Sequence, residues 1–303
     1  MRLGLGGLGM VLLAAPFAAQ TAKPSPAVTE RAGGEVPSVA DRSSSAHALL
    51  ELARLQSGRK DTAGALESLR RARVIAPNSE AVLWATAEAS LAAHAPLPAI
   101  QVLEPLTRMC STVGHYHCLQ GIALMQAGDM EAAVEPLKEA ERLEPNQPLT
   151  LIALGTVLVD RGSYAEAKPY LLRGLDLEPE SVEAVATLAE AEEGLGEHRE
   201  AEAHAQRALA RAGAHATANL VMGMVLMNEE RYAEARDALV KAAAANPASP
   251  KAHSQLSLAC ARLNDETNAR KHLELYHQTL KEREERVKAV RAVTGLSLGG
   301  MPP

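Results

Sequence analysis

Small and apolar residues recur along this chain with a period of 34. Alanine occupies seven positions at this spacing: Ala65, Ala99, Ala133, Ala167, Ala201, Ala235 and Ala269. If the repeats begin at residues 46, 80, 114, 148, 182, 216 and 250, these alanines are position 20 of each repeat. A period of this length predicts a unit of two helices joined by a turn, and stacked units of this kind form solenoids.

Two further columns support the register, because alanine alone is weak evidence in an alanine-rich chain. Position 8 is always small: Ala53, Ala87, Gly121, Gly155, Ala189, Gly223 and Ser257. Position 24 is leucine in six repeats and alanine in the fifth: Leu69, Leu103, Leu137, Leu171, Ala205, Leu239 and Leu273. We predict that the small residues let the two helices of a repeat approach closely and that the leucines fill the space beside them.

Glycine and proline mark the predicted ends of the helices. Position 15 is Gly128, Gly162 and Gly196 in the three central repeats, and glycine accepts the left-handed conformation that ends a helix. Position 32 is proline in four repeats: Pro77, Pro145, Pro179 and Pro247. Proline cannot continue a helix, so each of these should end the second helix of its repeat.

These columns, with an aromatic near position 17 (Tyr164, Tyr232), resemble the tetratricopeptide repeat. The resemblance covers residues 46–283 and is strongest in repeats three, four and six. Repeat two departs most, with His94 at position 15, Pro96 and Pro98 in the turn, and Ser111 at position 32. The resemblance implies an all-α fold, a right-handed α-solenoid of seven antiparallel helix pairs with a C-terminal capping helix. It also implies a protein that binds partners rather than catalysing a reaction.

The N-terminal segment differs from the repeats. Residues 1–19 contain one Arg, an apolar stretch and then small residues, which is typical of a secretory signal peptide. We predict a signal peptide over residues 1–22 and a disordered Pro-, Gly- and Ser-rich linker over 23–45. The alternative is a short uncleaved membrane anchor, which would contact the membrane only through residues 1–19. The predicted location is periplasmic or secreted, with a membrane-anchored protein as the alternative.

The C-terminal segment is heavily charged. Residues 281–291 carry favourable pairs four residues apart, Lys281–Glu285, Glu282–Arg286 and Glu284–Lys288. We predict a capping extension of the last helix over residues 284–293, because a solenoid must cover its last apolar face. A helix that binds a partner is the alternative. Residues 294–303 are predicted to be a flexible tail.

Positions 2, 5, 9, 12 and 13 of each first helix form one helical stripe. In tetratricopeptide proteins this stripe lines a concave groove that binds peptides, so the resemblance yields candidate groove residues. They are Leu50, Arg54, Trp84, Glu88, Ile122, Met125, Ile152, Thr156, Val159, Glu190, Leu220, Met224, Met227 and Leu258.

The middle of this stripe is apolar, which favours a helical or extended apolar peptide as ligand. Repeat five is acidic, with Glu183, Glu190 and Glu193, and could meet a basic residue of that ligand. The Lys and Asn clamp of chaperone-binding relatives is absent. The alternative interpretation is that superhelical curvature buries the stripe as packing between neighbouring first helices.

Cysteine and histidine offer little chemistry. Cys110 and Cys118 form a candidate disulfide on compartment grounds if the chain is exported, although the geometry is marginal. A metal site built from these two residues with His115 and His117 matches no standard zinc spacing, and adjacent helical residues cannot face one ion. His198 and His204 are interpreted as solvated surface residues.

The charge and the missing motifs narrow the function. The net charge of −6 gives no basic stripe for nucleic acid, and the chain has no metalloprotease HExxH motif, P-loop or nucleophile elbow. We therefore predict a non-enzymatic scaffold that binds a protein or peptide in envelope assembly or secretion, without cofactor, metal, nucleic acid or small-molecule substrate. The alternative is a self-associating structural protein whose groove holds its own N-terminal linker or a second copy.

Overall fold

The computed structural model describes residues 39–294, with side-chain surroundings for residues 43–293. The predictions for residues 1–38 and 295–303 lie outside these residues. Within the described part, the chain forms fourteen helices and no strand. The prediction of an all-α solenoid is confirmed.

Each repeat contributes one first and one second helix. The first helices are α1 (Val39–Gly58), α3 (Glu80–Ala92), α5 (Gly114–Ala127), α7 (Pro148–Asp160), α9 (Val182–Gly194), α11 (Ala216–Asn228) and α13 (Pro250–Arg262). The second helices are α2 (Thr62–Ile75), α4 (Pro96–Met109), α6 (Met130–Leu143), α8 (Tyr164–Leu177), α10 (His198–Arg211), α12 (Tyr232–Ala245) and α14 (Glu266–Thr294). Helices α3, α5, α7, α9, α11 and α13 begin at the predicted first residue of their repeats.

The first helix is longer than predicted. Helix α1 begins at Val39, seven residues before the predicted start at Ala46. Residues 39–45 are therefore helical, and assigning them to a disordered linker was wrong. Ala46 and Leu50 are buried on this helix, so packing against the second repeat supports a segment whose composition alone favours disorder.

The helix ends follow the glycine and proline columns. Gly128, Gly162 and Gly196 have φ of 87°, 76° and 79°, as the left-handed termination predicts. The other four repeats adopt the same conformation without glycine, at Lys60, His94, Glu230 and Asn264. The conformation therefore belongs to the turn of every repeat, and the surrounding fold imposes it even where the side chain disfavours it.

Close packing within a repeat explains the small residues at position 8. A Cβ atom added to Gly121 would lie 2.4 Å from Cγ of Leu137, the position-24 leucine of the same repeat. Gly155 and Leu171 are related in the same way, at 2.5 Å. The core runs as a layer between neighbouring repeats, and its largest buried cluster extends from α3 to α9.

The last helix does not stop where the other second helices stop. Helices α2, α4, α6, α8, α10 and α12 all end at position 30, whereas α14 passes this position and ends at Thr294, with a total length of 29 residues. Lys281 stands at position 32 of repeat seven, where four other repeats have proline. The predicted extension over residues 284–293 is therefore helical, but it leaves repeat seven and contacts α4 and α5 near the other end of the solenoid.

Candidate functional site

The first helices and the turns that follow them converge on one cavity. This axial cavity has a main lobe of about 650 Å³ and a smaller lobe of about 180 Å³. Residues from six successive repeats line the main lobe, including His94, Met125, Asp160, Glu190, Met224 and Lys251. Tyr276, Leu280, Arg283 and Arg286 of α14 form its remaining wall. The solenoid thus encloses a space on its axis, and its own last helix lies across it.

Six of the predicted groove residues line this cavity: Met125, Thr156, Val159, Glu190, Leu220 and Met224. Three other predicted groove residues do not line the axial cavity and are buried in the packing between helices. Ile122 and Ile152 are buried, and Leu50 lines a separate pocket beside Val82. The remaining five are partly or fully exposed away from the axial cavity: Arg54, Trp84, Glu88, Met227 and Leu258.

Curvature explains why the predicted stripe is only partly accessible. Neighbouring first helices contact each other directly along the solenoid. Leu50, Ile122, Met125, Ile152, Val159 and Leu220 are each at most 5% exposed, so they contribute to this packing. Met224 and Thr156 keep partial exposure and face the cavity. The expectation of a continuous exposed apolar stripe was wrong for these buried positions, and the packing alternative holds there.

The acidic residues of repeat five have partners within the chain. Glu183 pairs with His215 at 3.1 Å, and Glu190 pairs with Lys251 at 2.7 Å. Glu193 is 7% exposed and accepts hydrogen bonds from Asn228 and His198. These carboxylates are therefore engaged, which is a correction to the expectation that they would meet a basic residue of the ligand.

The Lys251–Glu190 pair spans the axis, because it joins α13 to α9. Burial lowers the pKa of Lys251, but the Glu190 carboxylate, together with Asp160 and Tyr164, outweighs burial, so this pKa lies above its ordinary value. Lys251 therefore remains charged and fixes the spacing of repeats five and seven at the cavity wall. Sequence reasoning missed this pair, since nothing in the 34-residue register relates positions that are 61 residues apart.

His198 and His204 are also more engaged than predicted. Nδ1 of His204 lies 2.6 Å from Oε2 of the buried Glu192, and Nδ1 of His198 lies 2.8 Å from Oε2 of Glu193. Lys168 reaches Glu192 and Glu197 from the preceding repeat. These residues join repeats four and five. The interpretation of His204 as solvated was wrong, since its side chain is 29% exposed, whereas His198 remains 48% exposed, as predicted, while it contacts Glu193.

The candidate disulfide is not formed, because Cys110 and Cys118 are free thiols. Cys110 is the C-cap of α4 and lies near Glu80, the first residue of its own repeat. Cys118 is buried near Thr150 of the following repeat, and burial raises its pKa to about 11. The two side chains belong to opposite sides of the repeat junction, which explains why they do not pair.

Two other properties of the described residues bear on function. Residues 39–294 hold no cluster of three or more His, Cys, Asp or Glu side chains arranged to bind a metal ion. Nor does any helix in this part of the chain have the length and apolar character required to span a bilayer.

Comparisons with known proteins agree with the repeat architecture. The tetratricopeptide repeat family model matches residues 152–217 and 220–279. A search of curated proteins gave no match.

Solved structures show the same fold. A tetratricopeptide repeat protein from Parabacteroides merdae is similar with a TM-score of 0.61 and 14% identity, over 82% of this chain and 99% of that one. The Cut9–Hcn1 structure, described as an APC/C hetero-tetramer, is similar with a TM-score of 0.60 and 18% identity. That match covers 73% of this chain but only 44% of the other chain. At these identities the likeness concerns the fold alone.

Proposed function

Because this chain is a tetratricopeptide repeat protein, we propose that it is a non-enzymatic scaffold that binds a protein or peptide segment at the axis of its solenoid. The axial cavity supports this proposal most directly. It is bounded by six successive repeats, and its volume of about 650 Å³ falls in the range of pockets that bind ligands, about 300–1,000 Å³. Its wall combines adaptable methionines, Met125 and Met224, with fixed charged pairs.

The size of the cavity limits how a ligand can enter. A helix with its side chains has a diameter of about 10–12 Å, so two turns already exceed this volume. The ligand in this proposal is therefore a helical or extended segment that lies along the opening and inserts a few apolar side chains. Thr156 and Met224, which keep partial exposure, are the residues that those side chains would contact, above a floor that includes the buried Met125 and Leu220.

The proposed setting is the cell envelope, in assembly or secretion. The signal-like pattern of residues 1–22 supports this setting, with a short membrane anchor as the alternative. Intact mass spectrometry of the protein from a periplasmic fraction tests it. A mass lacking about 22 residues supports export, whereas full-length protein confined to the cytoplasm refutes it.

Site-specific photo-crosslinking tests the binding proposal. A photoreactive residue at Thr156 or Met224 reports on the axial cavity, and one at Leu172, which is 44% exposed on α8, serves as the control on the outer surface. We expect one discrete foreign protein joined at both cavity sites and not at Leu172. Adducts only to another copy of the chain, or to its residues 20–38, would replace the scaffold proposal with self-association or self-occupancy.

A further inference from the structure

The distal segment of α14, residues 281–294, binds the solenoid far from its own repeat. Both Nε and Nη2 of Arg291 donate hydrogen bonds to the Asp129 carboxylate, at 2.5 and 2.6 Å. Arg283 donates to Oδ2 of Asp160 at 2.7 Å and to the carbonyl oxygen of Gly128 at 3.0 Å. These contacts join residues 123 to 162 positions apart, so they close the solenoid between repeat seven and repeats three and four.

One apolar side chain anchors the same segment. Val290 is 5% exposed and belongs to the buried cluster that extends from α3 to α9. Arg283, Val290 and Arg291 are seven and eight residues apart, which places them on one face of the helix. The distal segment is thus an amphipathic helix with an Arg–apolar–Arg face, and it is basic, with five Lys or Arg against three Glu.

The surface under this helix is built to receive a cation. Asp129 is only 2% exposed, although it caps α6 through the backbone N–H of Ala132. A buried carboxylate is costly unless it is paired, and a bidentate arginine is the group best suited to pair with it. Gly128 lies directly beneath Arg283, where a Cβ atom would be 3.2 Å from Cγ of the arginine. We name this surface, Gly128, Asp129, Asp160 and the cleft that holds Val290, the acidic seat.

We propose that the acidic seat is the docking site for a basic amphipathic helix of a partner protein, and that the distal segment occupies the seat until that helix displaces it. This inference rests on the proposed function and names the class of partner. The partner helix carries two arginines and an apolar residue with the spacing of Arg283, Val290 and Arg291. Its further apolar side chains enter the axial cavity, which is exposed when α14 moves, because Leu280 and Arg283 form part of the cavity wall.

A foreign helix fits the seat better than a second copy of this chain. Each copy already holds its own distal segment in place at the high effective concentration of an intramolecular contact. Exchanging segments between two copies adds no contact and costs the freedom of two molecules. A foreign helix gains contacts in the axial cavity that the distal segment does not make, so it can compete.

A labelled synthetic peptide with the sequence of residues 278–294 serves as the probe, and fluorescence anisotropy measures its binding to the full chain. In one variant, Arg283→Ala with Arg291→Ala empties the seat. We expect this variant to bind the peptide at least tenfold more tightly than the unmodified chain. Lys288→Ala is the matched control, because Lys288 is a 78% exposed cation on the same segment that lines neither lobe of the axial cavity, and we expect it to bind like the unmodified chain.

A second pair of substitutions tests whether the peptide uses the acidic seat. Asp129→Asn and Asp160→Asn, added to the emptied variant, should remove the gain in affinity. Asn still caps a helix, so the loss would not reflect a broken α6 terminus, and circular dichroism confirms folding. The inference is overturned if the unmodified and emptied chains bind the peptide with equal affinity. It is also overturned if Asp129→Asn leaves the affinity of the emptied variant unchanged.

Sedimentation velocity of the unmodified chain tests whether a second copy of the chain, rather than a foreign helix, occupies the acidic seat. A concentration-dependent dimer that Asp129→Asn abolishes would assign the seat to a second copy and overturn the foreign partner. The peptide assay uses purified protein only, so it can succeed when crosslinking in cells finds no partner. The peptide assay can also fail when crosslinking identifies a partner elsewhere in the cavity. The scaffold proposal and the acidic-seat proposal can therefore be refuted independently.

Discussion

Gly121 shows how one residue sets the spacing of two helices. Its Cα faces the Leu137 side chain so closely that an added Cβ would lie 2.4 Å from Cγ of the leucine. We expect Gly121→Ala to destabilise the protein by about 1–3 kcal/mol, the usual cost of overpacking a core. Urea unfolding measures the change. Gly58→Ala is the control, because no atom lies within 4 Å of the Cβ position there, and an effect as large as that of Gly121→Ala would contradict the explanation.

His253 and His272 make the base of α14 sensitive to acid. Their rings stack at 5.5 Å, with Nδ1 atoms 3.3 Å apart, so one ring donates a hydrogen bond and the other accepts it. Burial and the neighbouring His253 lower the pKa of His272 below its ordinary value of 6.5. As the pH falls below about 6.5, the unfolded chain takes up a proton that folded His272 does not, so stability is lost with falling pH.

We therefore expect the free energy of unfolding to fall between pH 7 and pH 5. A single proton limits the contribution of His272 to about 1.4 kcal/mol per pH unit. Replacing His272 with Asn should flatten this dependence, whereas His277→Asn, at an exposed position of the same helix, should leave it unchanged. Urea unfolding across this pH range measures the slope, and an unchanged slope in the His272 variant would rule out this origin.

At the scale of the element, proline at position 32 is compatible only with a second helix that has already ended, but it is not required, because α4 and α10 end at the same position with Ser111 and Gly213 there. Proline follows the C-cap of α2, α6, α8 and α12, whereas Lys281 occupies this position in α14, and the helix continues. Exposed pairs such as Lys281–Glu285 and Glu284–Lys288 form as predicted, at 4.0 and 3.9 Å. At this exposure each contributes little, so docking of Val290 and the two arginines is what holds the distal segment.

Lys281→Pro should end α14 near residue 279 and release the distal segment. We expect circular dichroism to show the loss of about one to four turns of helix, because the released segment loses its tertiary support. Gly213→Pro is the matched control. Its preceding residue, Ala212, has φ −137° and ψ 82°, close to the −136° and 77° of Glu144 before Pro145. Undiminished helix content and intact docking in Lys281→Pro would contradict this role of position 32.

At the scale of the whole molecule, α14 acts as a strut across the solenoid. It is one continuous helix that packs on α13 at one end and contacts α4 and α5 at the other. Long-range contacts hold repeats three to seven around the axial cavity. They are made by Arg283, Val290 and Arg291 of α14 and by the Lys251–Glu190 pair. Stacked repeats otherwise contact only their neighbours, so few contacts oppose opening of the superhelix.

Arg283→Ala with Arg291→Ala should therefore enlarge the molecule. We expect an increase in the radius of gyration measured by small-angle X-ray scattering, with little loss of helix, because the contacts between neighbouring repeats persist. Lys288→Ala, at an exposed position of the same segment, should leave the radius unchanged. If the double variant scatters like the unmodified chain, the remaining contacts close the solenoid without the strut.

The sequence by itself determined everything that repeats every 34 residues. It predicted the helix pairs, six of seven repeat starts, the left-handed glycines and the prolines beyond the helix ends. Each of these depends on contacts within one repeat or between neighbours, and the residues that make them recur in register. The same register placed Met125, Thr156 and Met224 on one stripe, and these three residues line the axial cavity.

Only the tertiary structure decided what lies on the axis. Burial of Ile122 and Ile152, the partners of Glu190 and Glu193, and the docking of Arg291 on Asp129 all depend on the curvature of the stack. Curvature accumulates small rotations over several repeats, so it brings together residues that no periodic pattern relates. The sequence predicts the end of α14 to be a capping extension, but in the structure it forms a wall of the cavity. The reason is that the solenoid curves far enough for its last helix to contact its third repeat.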